Sequence, residues 1–190
     1  MLQIGNEKTY VLWSYPRSGT NYFERAWKQK TGKNITVFRT PGYADVLSKQ
    51  DNLEIISTIR EPFASLVSRT MIYYHEPAHR PIEETIWYSI ESYKKIYTSI
   101  INVSDHIIDM SCFDNLDLII DKITGKENKK INKEQINRSL DNIGQYSKTF
   151  IGHEDYEKVS EWVTKYNISY CKELYSKAYD LSKYKTVDMI

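Results

Sequence analysis

Residues 10–27, YVLWSYPRSGTNYFERAW, constrain what this chain can fold into more than any other stretch. An apolar run over 10–15 reads as a buried strand, 16–19 as a tight turn, and a helical pattern opens near Thr20. A strand that feeds a helix through such a turn leaves the first N–H groups of the helix without intrahelical acceptors. Those groups and the helix dipole together attract an anion. The turn also carries Arg17, whose planar fork of donors suits phosphate or sulfate oxygens. The GxxxxGK[ST] pattern is absent and the turn is shorter, so this is not a Walker A loop. The expectation is an anion-binding loop for the diphosphate-like end of a nucleotide.

The remaining periodicity extends this start into an α/β pattern. Residues 34–38 (NITVF) and 53–59 (LEIISTI) read as strands, the second apolar on both sides as in a buried parallel sheet. Pro62 suits the first turn of a helix in which Phe63, Leu66, Val67, Thr70 and Met71 recur at helical spacing. One or two helical turns are expected over 43–49 and a loop over 75–81. Residues 82–101 form a long amphipathic pattern with Ile86, Ile90, Tyr93, Tyr97 and Ile100 on one side. A short strand within 105–113, a helix over 116–123 stopped by Gly125, a polar surface loop over 126–133 and helices over 131–143 and 156–184 complete the chain. The last of these divides around Asn167. Strands alternating with helices predict one α/β domain over residues 1–190, with a mostly parallel sheet, flanking helices and a helical C-terminal third.

Bulk properties narrow the function classes. Hydrophobic residues make up 41 % and charged residues 27 %, an ordinary globular composition. A net charge of +1 points away from nucleic acid and membrane surfaces as partners, so any cationic site is local. Cys112 and Cys171 lie far apart without metal-ligand spacing, so neither a disulfide framework nor a zinc site is expected. No leader pattern or membrane-length apolar run is present, and a cytoplasmic location is the expectation.

A second basic stretch completes the pattern. In residues 59–69, IREPFASLVSR, Arg60 leaves the strand and Ser68 follows eight residues later. Eight residues are two helical turns and a little more, so Ser68 can face the crevice that Arg60 lines. Cation and hydroxyl make a second anion site, read as separate from the Arg17 loop. Both arginines follow strand ends, where open α/β sheets bind ligands.

With both stretches in view, the chain resembles the sulfotransferases that use 3′-phosphoadenosine 5′-phosphosulfate as donor. Their P-[KR]-S-G-T-[TN]-[WFY] loop stands here as Pro16, Arg17, Ser18, Gly19, Thr20, Asn21 and Tyr22, and their R-x-P with a later serine as Arg60, Pro62 and Ser68. The likeness covers roughly the first 120 residues, residues 107–116 loosely included. It implies a P-loop NTPase-like sulfotransferase fold. The N–H groups of Ser18, Gly19, Thr20 and Asn21, with the Ser18, Thr20 and Asn21 side chains, would bind the 5′-phosphate. Arg17 would stabilise the leaving phosphate and Tyr22 would stack on adenine. Arg60 and Ser68 would bind the 3′-phosphate. The product would be adenosine 3′,5′-bisphosphate, the acceptor a hydroxyl or amine of a small molecule, glycan or peptide, and no metal is implied.

The chain departs from the family where a His or Glu base is expected, near the end of the second strand, because Arg39 stands there. An arginine has no lone pair for the acceptor's proton at neutral pH. Asp45 and His75 are the substitute bases, and Arg39 is an alternative reader of an anionic acceptor. The glycine-rich basic C-terminal segment of many relatives is also missing. Two other readings stay open: a non-catalytic nucleotide-binding protein on this fold, and an atypical P-loop kinase. The kinase reading is disfavoured by the lack of a Walker lysine and of an obvious magnesium-binding Asp at a strand end. For Tyr22, ordinary core packing is as good a reading as base stacking.

Overall fold

Strands form where β-branched residues concentrate, and helices where apolar residues recur every three to four positions. The structure, a computed structural model, describes residues 8–39, 52–74, 81–127, 129–142 and 154–184. Four parallel strands lie in the order β2-β1-β3-β4: β1 (Thr9–Trp13), β2 (Thr36–Phe38), β3 (Leu53–Ile59) and β4 (His106–Asp109). The register sets Val11 beside both Thr36 and Ile55, and Ile59 beside Asp109.

Parallel neighbours require crossovers. Helix α1 (Thr20–Thr31) lies between β1 and β2, and α2 (Pro62–Tyr74) and α3 (Ile82–Val103) lie between β3 and β4. A 3₁₀ segment (Met110–Asn115) leads from β4 into α4 (Leu116–Thr124). Helices α5 (Lys133–Asn142), α6 (Glu154–Thr164) and α7 (Ser169–Leu181) follow.

Two large hydrophobic cores result, beside a small cluster of Val11, Trp13 and Ile55. In one, Leu12 and Ile56 pack with Phe23 and Trp27 of α1 and Ile119 and Ile120 of α4. In the other, Leu66 and Met71 of α2 meet Ile90, Tyr93 and Tyr97 of α3, with Leu174 of α7 beneath. Each such side chain contributes about 1.5–3 kcal/mol by leaving water. An ion pair borders the first core: the buried Lys30 Nζ sits 2.8 Å from Asp121 and 3.1 Å from Asp117, both partly exposed, tying α1 to α4.

At the amino-terminal end of the sheet, Glu54 accepts from Lys8 and pairs with His106 Nε2 at 2.7 Å. The other His106 nitrogen lies 2.7 Å from the hydroxyl of buried Tyr184.

Several boundaries differ from those expected. The second strand begins at Thr36 rather than residue 34. The short strand expected within 105–113 is His106–Asp109, and residues 110–115 wind into 3₁₀ turns. There the Asp109 carboxylate accepts from the Ser111 N–H at 2.8 Å and caps the 3₁₀ start. The helix expected from 131 starts at Lys133. The break expected near Asn167 is present between α6 and α7. The expected turns at 43–49 and most of the 75–81 loop lie outside the described residues. No helix among the described residues is long and apolar enough to cross a membrane.

Candidate functional site

The strand order carries the site's location. One crossover runs from β1 outward to β2, while β3 lies on the other side of β1, so the direction of winding reverses between β1 and β3. Such a reversal opens a crevice beyond the carboxyl ends of the two strands.

The turn after β1 enters that crevice. It takes two left-handed backbone conformations, Arg17 at φ 75° and Gly19 at φ 82°. Glycine is required at the second, because a Cβ there would stand 2.6 Å from Phe113 Cε2 and 2.9 Å from Met110 Cγ. Arg17 has no such freedom, and its conformation costs on the order of 1 kcal/mol. Ser18 offsets this from below. Fully buried, it donates both its N–H, at 3.3 Å, and its hydroxyl, at 2.6 Å, to the Tyr15 carbonyl. Its hydroxyl also lies 3.4 Å from Thr58 Oγ1, and Ser14 Oγ accepts from the Thr58 N–H at 2.8 Å. Hydroxyl groups thus lock β1 to β3 under the turn.

Above the lock the cations gather. Arg17 Nε donates to Ser68 Oγ at 2.8 Å, and Arg60 Nη1 donates to the Arg17 carbonyl at 3.3 Å. Burial, and then the neighbouring charge of Arg60, hold the Arg17 guanidinium below its usual pKa. Two stacked phenols, Tyr93 and Tyr97, with centroids 3.9 Å apart, grip the Arg60 backbone. Tyr97 Oη accepts from the Arg60 N–H at 2.8 Å and donates to its carbonyl at 2.8 Å; Tyr93 donates to the same carbonyl at 3.1 Å.

The result is a cavity of about 380 Å³ onto which Arg17, Arg39 and Arg60 all open. Gly19, Thr20, Asn21 and Tyr22 form the wall at the start of α1, and Ile72, Met110 and Leu140 supply an apolar side. No carboxylate stands among the described residues that line it. Three signals point to an anionic ligand. The first-turn amides of α1 have no intrahelical acceptors. Guanidinium groups converge without an acidic residue in the lining. Among the described residues five buried hydroxyls, of Thr20, Ser65, Thr70, Ser89 and Ser160, have no hydrogen-bond partner, and of the five Thr20 is the one on the cavity wall.

The sequence-derived site residues fall out as follows. Arg17, Gly19, Thr20, Asn21, Tyr22 and Arg60 line one cavity. Ser18 lies beneath it with N–H and hydroxyl directed at Tyr15. Asn21 Oδ1 accepts from Arg39 Nη2 at 2.8 Å. Tyr22 stacks on Phe113 with centroids 5.7 Å apart, so one neighbour of its ring is supplied by the protein. The two anion sites read as separate are joined, because the Arg17 side chain reaches Ser68. Asp45 and His75 lie outside the described residues.

Sequence reasoning missed two features. Tyr93 and Tyr97 read as packing, and no local signal ties a helical phenol to a backbone 37 residues earlier. Asp109 was overlooked as an acidic residue at a strand end; it closes the run HIID, a signal the sequence does carry. Its carboxylate is engaged by the Ser111 N–H and by the Tyr175 hydroxyl at 2.9 Å. Among the described residues no group of three or more His, Cys, Asp or Glu could hold a metal ion. Compared with known proteins, the chain matches no family model, no curated protein and no solved structure.

Proposed function

We propose that this chain is a sulfotransferase of the 3′-phosphoadenosine 5′-phosphosulfate-dependent kind, built on a P-loop-like fold. One observation carries the reading: Arg17 and Arg60, 43 residues apart, open on a single cavity and touch through the Arg17 carbonyl at 3.3 Å. A nucleotide phosphorylated at both ends of its ribose matches two cations so placed. The orphaned Thr20 hydroxyl and the opening amides of α1 add donors for its 5′-phosphate.

The donor supplies an activated sulfuryl group. The bond from sulfur to the bridging phosphate oxygen breaks as sulfur bonds to the acceptor oxygen or nitrogen, and the acceptor's proton passes to a base. Arg17 stands ready to stabilise charge on the departing phosphate, and a preplaced donor of this kind is worth about 3 kcal/mol. Arg60, with Ser68 behind Arg17, distinguishes a 3′-phosphorylated nucleotide from ATP. Asp45 and His75 are the proposed bases, and substituting each with Asn or Gln tests them by loss of turnover.

Calorimetry with adenosine 3′,5′-bisphosphate tests the reading. Saturable binding that weakens at least tenfold in Arg60→Ala is expected. Absence of binding, or stronger thermal stabilisation by ATP with magnesium, overturns it. A second reading, a nucleotide-binding protein without turnover, is favoured by Arg39 at the end of β2, where a base is expected. Labelled donor offered with varied acceptors separates the two.

A further inference from the structure

The three guanidinium groups on the cavity come from three neighbouring strands in spatial order. Arg39 follows β2, Arg17 follows β1 and Arg60 follows β3. Adjacent strands are about 4.8 Å apart, so the ends of β2 and β3 stand roughly 10 Å apart with β1 between them. Under the function proposed above, on which this inference rests, the 3′-phosphate belongs to Arg60 and the 5′-phosphate to the Arg17 turn. A nucleotide laid across the strands in that sense directs whatever extends beyond its 5′-phosphate toward β2. In-line transfer brings the acceptor from the side opposite the leaving phosphate. Arg39 stands on that side.

Its chemistry excludes one role and fits another. A guanidinium accepts no proton at neutral pH but offers five N–H donors in a rigid fork suited to oxyanions. The fork is oriented: Nη2 donates to Asn21 Oδ1 at 2.8 Å, which spends one donor. Glu24 Oε2 lies 3.9 Å away, beyond hydrogen-bonding distance, and the Arg39 side chain keeps 44 % of its surface exposed. A solvent-facing guanidinium at the rim of a cavity lined by two further arginines repels a cationic acceptor and holds an oxyanion about twice as strongly as a neutral oxygen.

We propose that Arg39 reads an oxyanion on the acceptor, so that the group receiving the sulfuryl moiety belongs to a carboxylate-, sulfate- or phosphate-bearing alcohol or amine.

Calorimetry on the full chain tests this in two stages. First, adenosine 3′,5′-bisphosphate is titrated into wild type, Arg39→Gln and Arg39→Lys. Arg39→Gln should lose less than the tenfold expected of Arg60→Ala, because Arg39 meets the donor's loop through Asn21 Oδ1 and serves the acceptor. A loss of tenfold or more in Arg39→Gln assigns Arg39 to the donor and overturns the inference while leaving the proposed function intact. Second, with the bisphosphate saturating, matched charged and neutral probes are titrated: glucuronate against glucose, and 4-hydroxyphenylacetate against its amide. In wild type the charged member of at least one pair should bind tenfold or more tighter. Arg39→Gln should abolish that preference and Arg39→Lys keep part of it. Equal binding of both members, no binding of any probe, or a preference that survives in Arg39→Gln overturns the inference. Wild type that does not bind the bisphosphate at all sinks the function reading itself, and this inference with it.

Discussion

Arg17 and Ser68, 51 residues apart, are joined by a 2.8 Å hydrogen bond from Nε to Oγ. The bond pins the turn after β1 to the second turn of α2 and makes one cavity of two motifs. It also holds a half-buried guanidinium in a left-handed residue, so the turn's strain and the cation's direction are set by the same contact.

Ser68→Ala removes that acceptor from a half-buried charged donor. A hydrogen bond to a charged group contributes about 1.5–3 kcal/mol. Chemical denaturation should show a loss of that order. Adenosine 3′,5′-bisphosphate should bind at least fivefold more weakly, and unchanged affinity would show that Ser68 does not orient Arg17 for the ligand.

Gly19→Ala faces two penalties at once, a positive φ and a Cβ driven into the Phe113 ring and Met110. Backbone strain and overpacking each cost about 1–3 kcal/mol. The variant is expected to melt several degrees lower and to lose bisphosphate binding. A melting temperature equal to wild type would mean that Phe113 and Met110 yield freely.

Tyr97→Phe deletes both the acceptor for the Arg60 N–H and one donor to its carbonyl, leaving Tyr93 alone on the carbonyl. An unpaired buried N–H costs about 1–3 kcal/mol. Because the clamp fixes Arg60, bisphosphate affinity should fall severalfold while adenosine 5′-monophosphate affinity changes less. Equal losses for the two nucleotides would reduce the clamp to general stability.

The Glu54 carboxyl, at the other end of the sheet, gives a pH dependence. Burial pushes its pKa up, but hydrogen bonds from Lys8 and His106 outweigh this and leave it below the ordinary value. A carboxyl whose folded pKa is depressed stabilises the fold fully above its unfolded pKa, and that contribution disappears as pH falls through the folded one. Stability should therefore drop below about pH 4.3, the ordinary glutamate range. Glu54→Gln should lower stability at pH 7 and flatten this acid limb; an unchanged limb in denaturation curves from pH 3 to 7 would remove Glu54 from the account.

Much of this was legible locally. The run LEIISTI is strand Leu53–Ile59 to the residue, and Pro62 opens its helix, because β-branched content and a fixed proline φ act within a few residues. Ile86, Ile90, Tyr93, Tyr97 and Ile100 are buried as their spacing required. Gly125 ends α4 at φ 65°, as a residue without a Cβ can. Boundaries shifted by two residues at the starts of β2 and α5, while the Asp109 carboxylate, accepting from the Ser111 N–H, marks where β4 gives way to a 3₁₀ segment.

The amino-acid sequence by itself determined the elements, the turn with its arginine, and the parallel α/β plan, since each rests on periodicity and on backbone preferences of neighbouring residues. That Arg17 and Arg60 face one crevice followed from their places after strand ends; tertiary structure alone decided that Arg39 joins them, that Ser68 serves Arg17, and that two phenols hold Arg60. These contacts follow from the order β2-β1-β3-β4 and span tens of residues. No local preference encodes such distances; they arise when burying both faces of the sheet brings strand ends together.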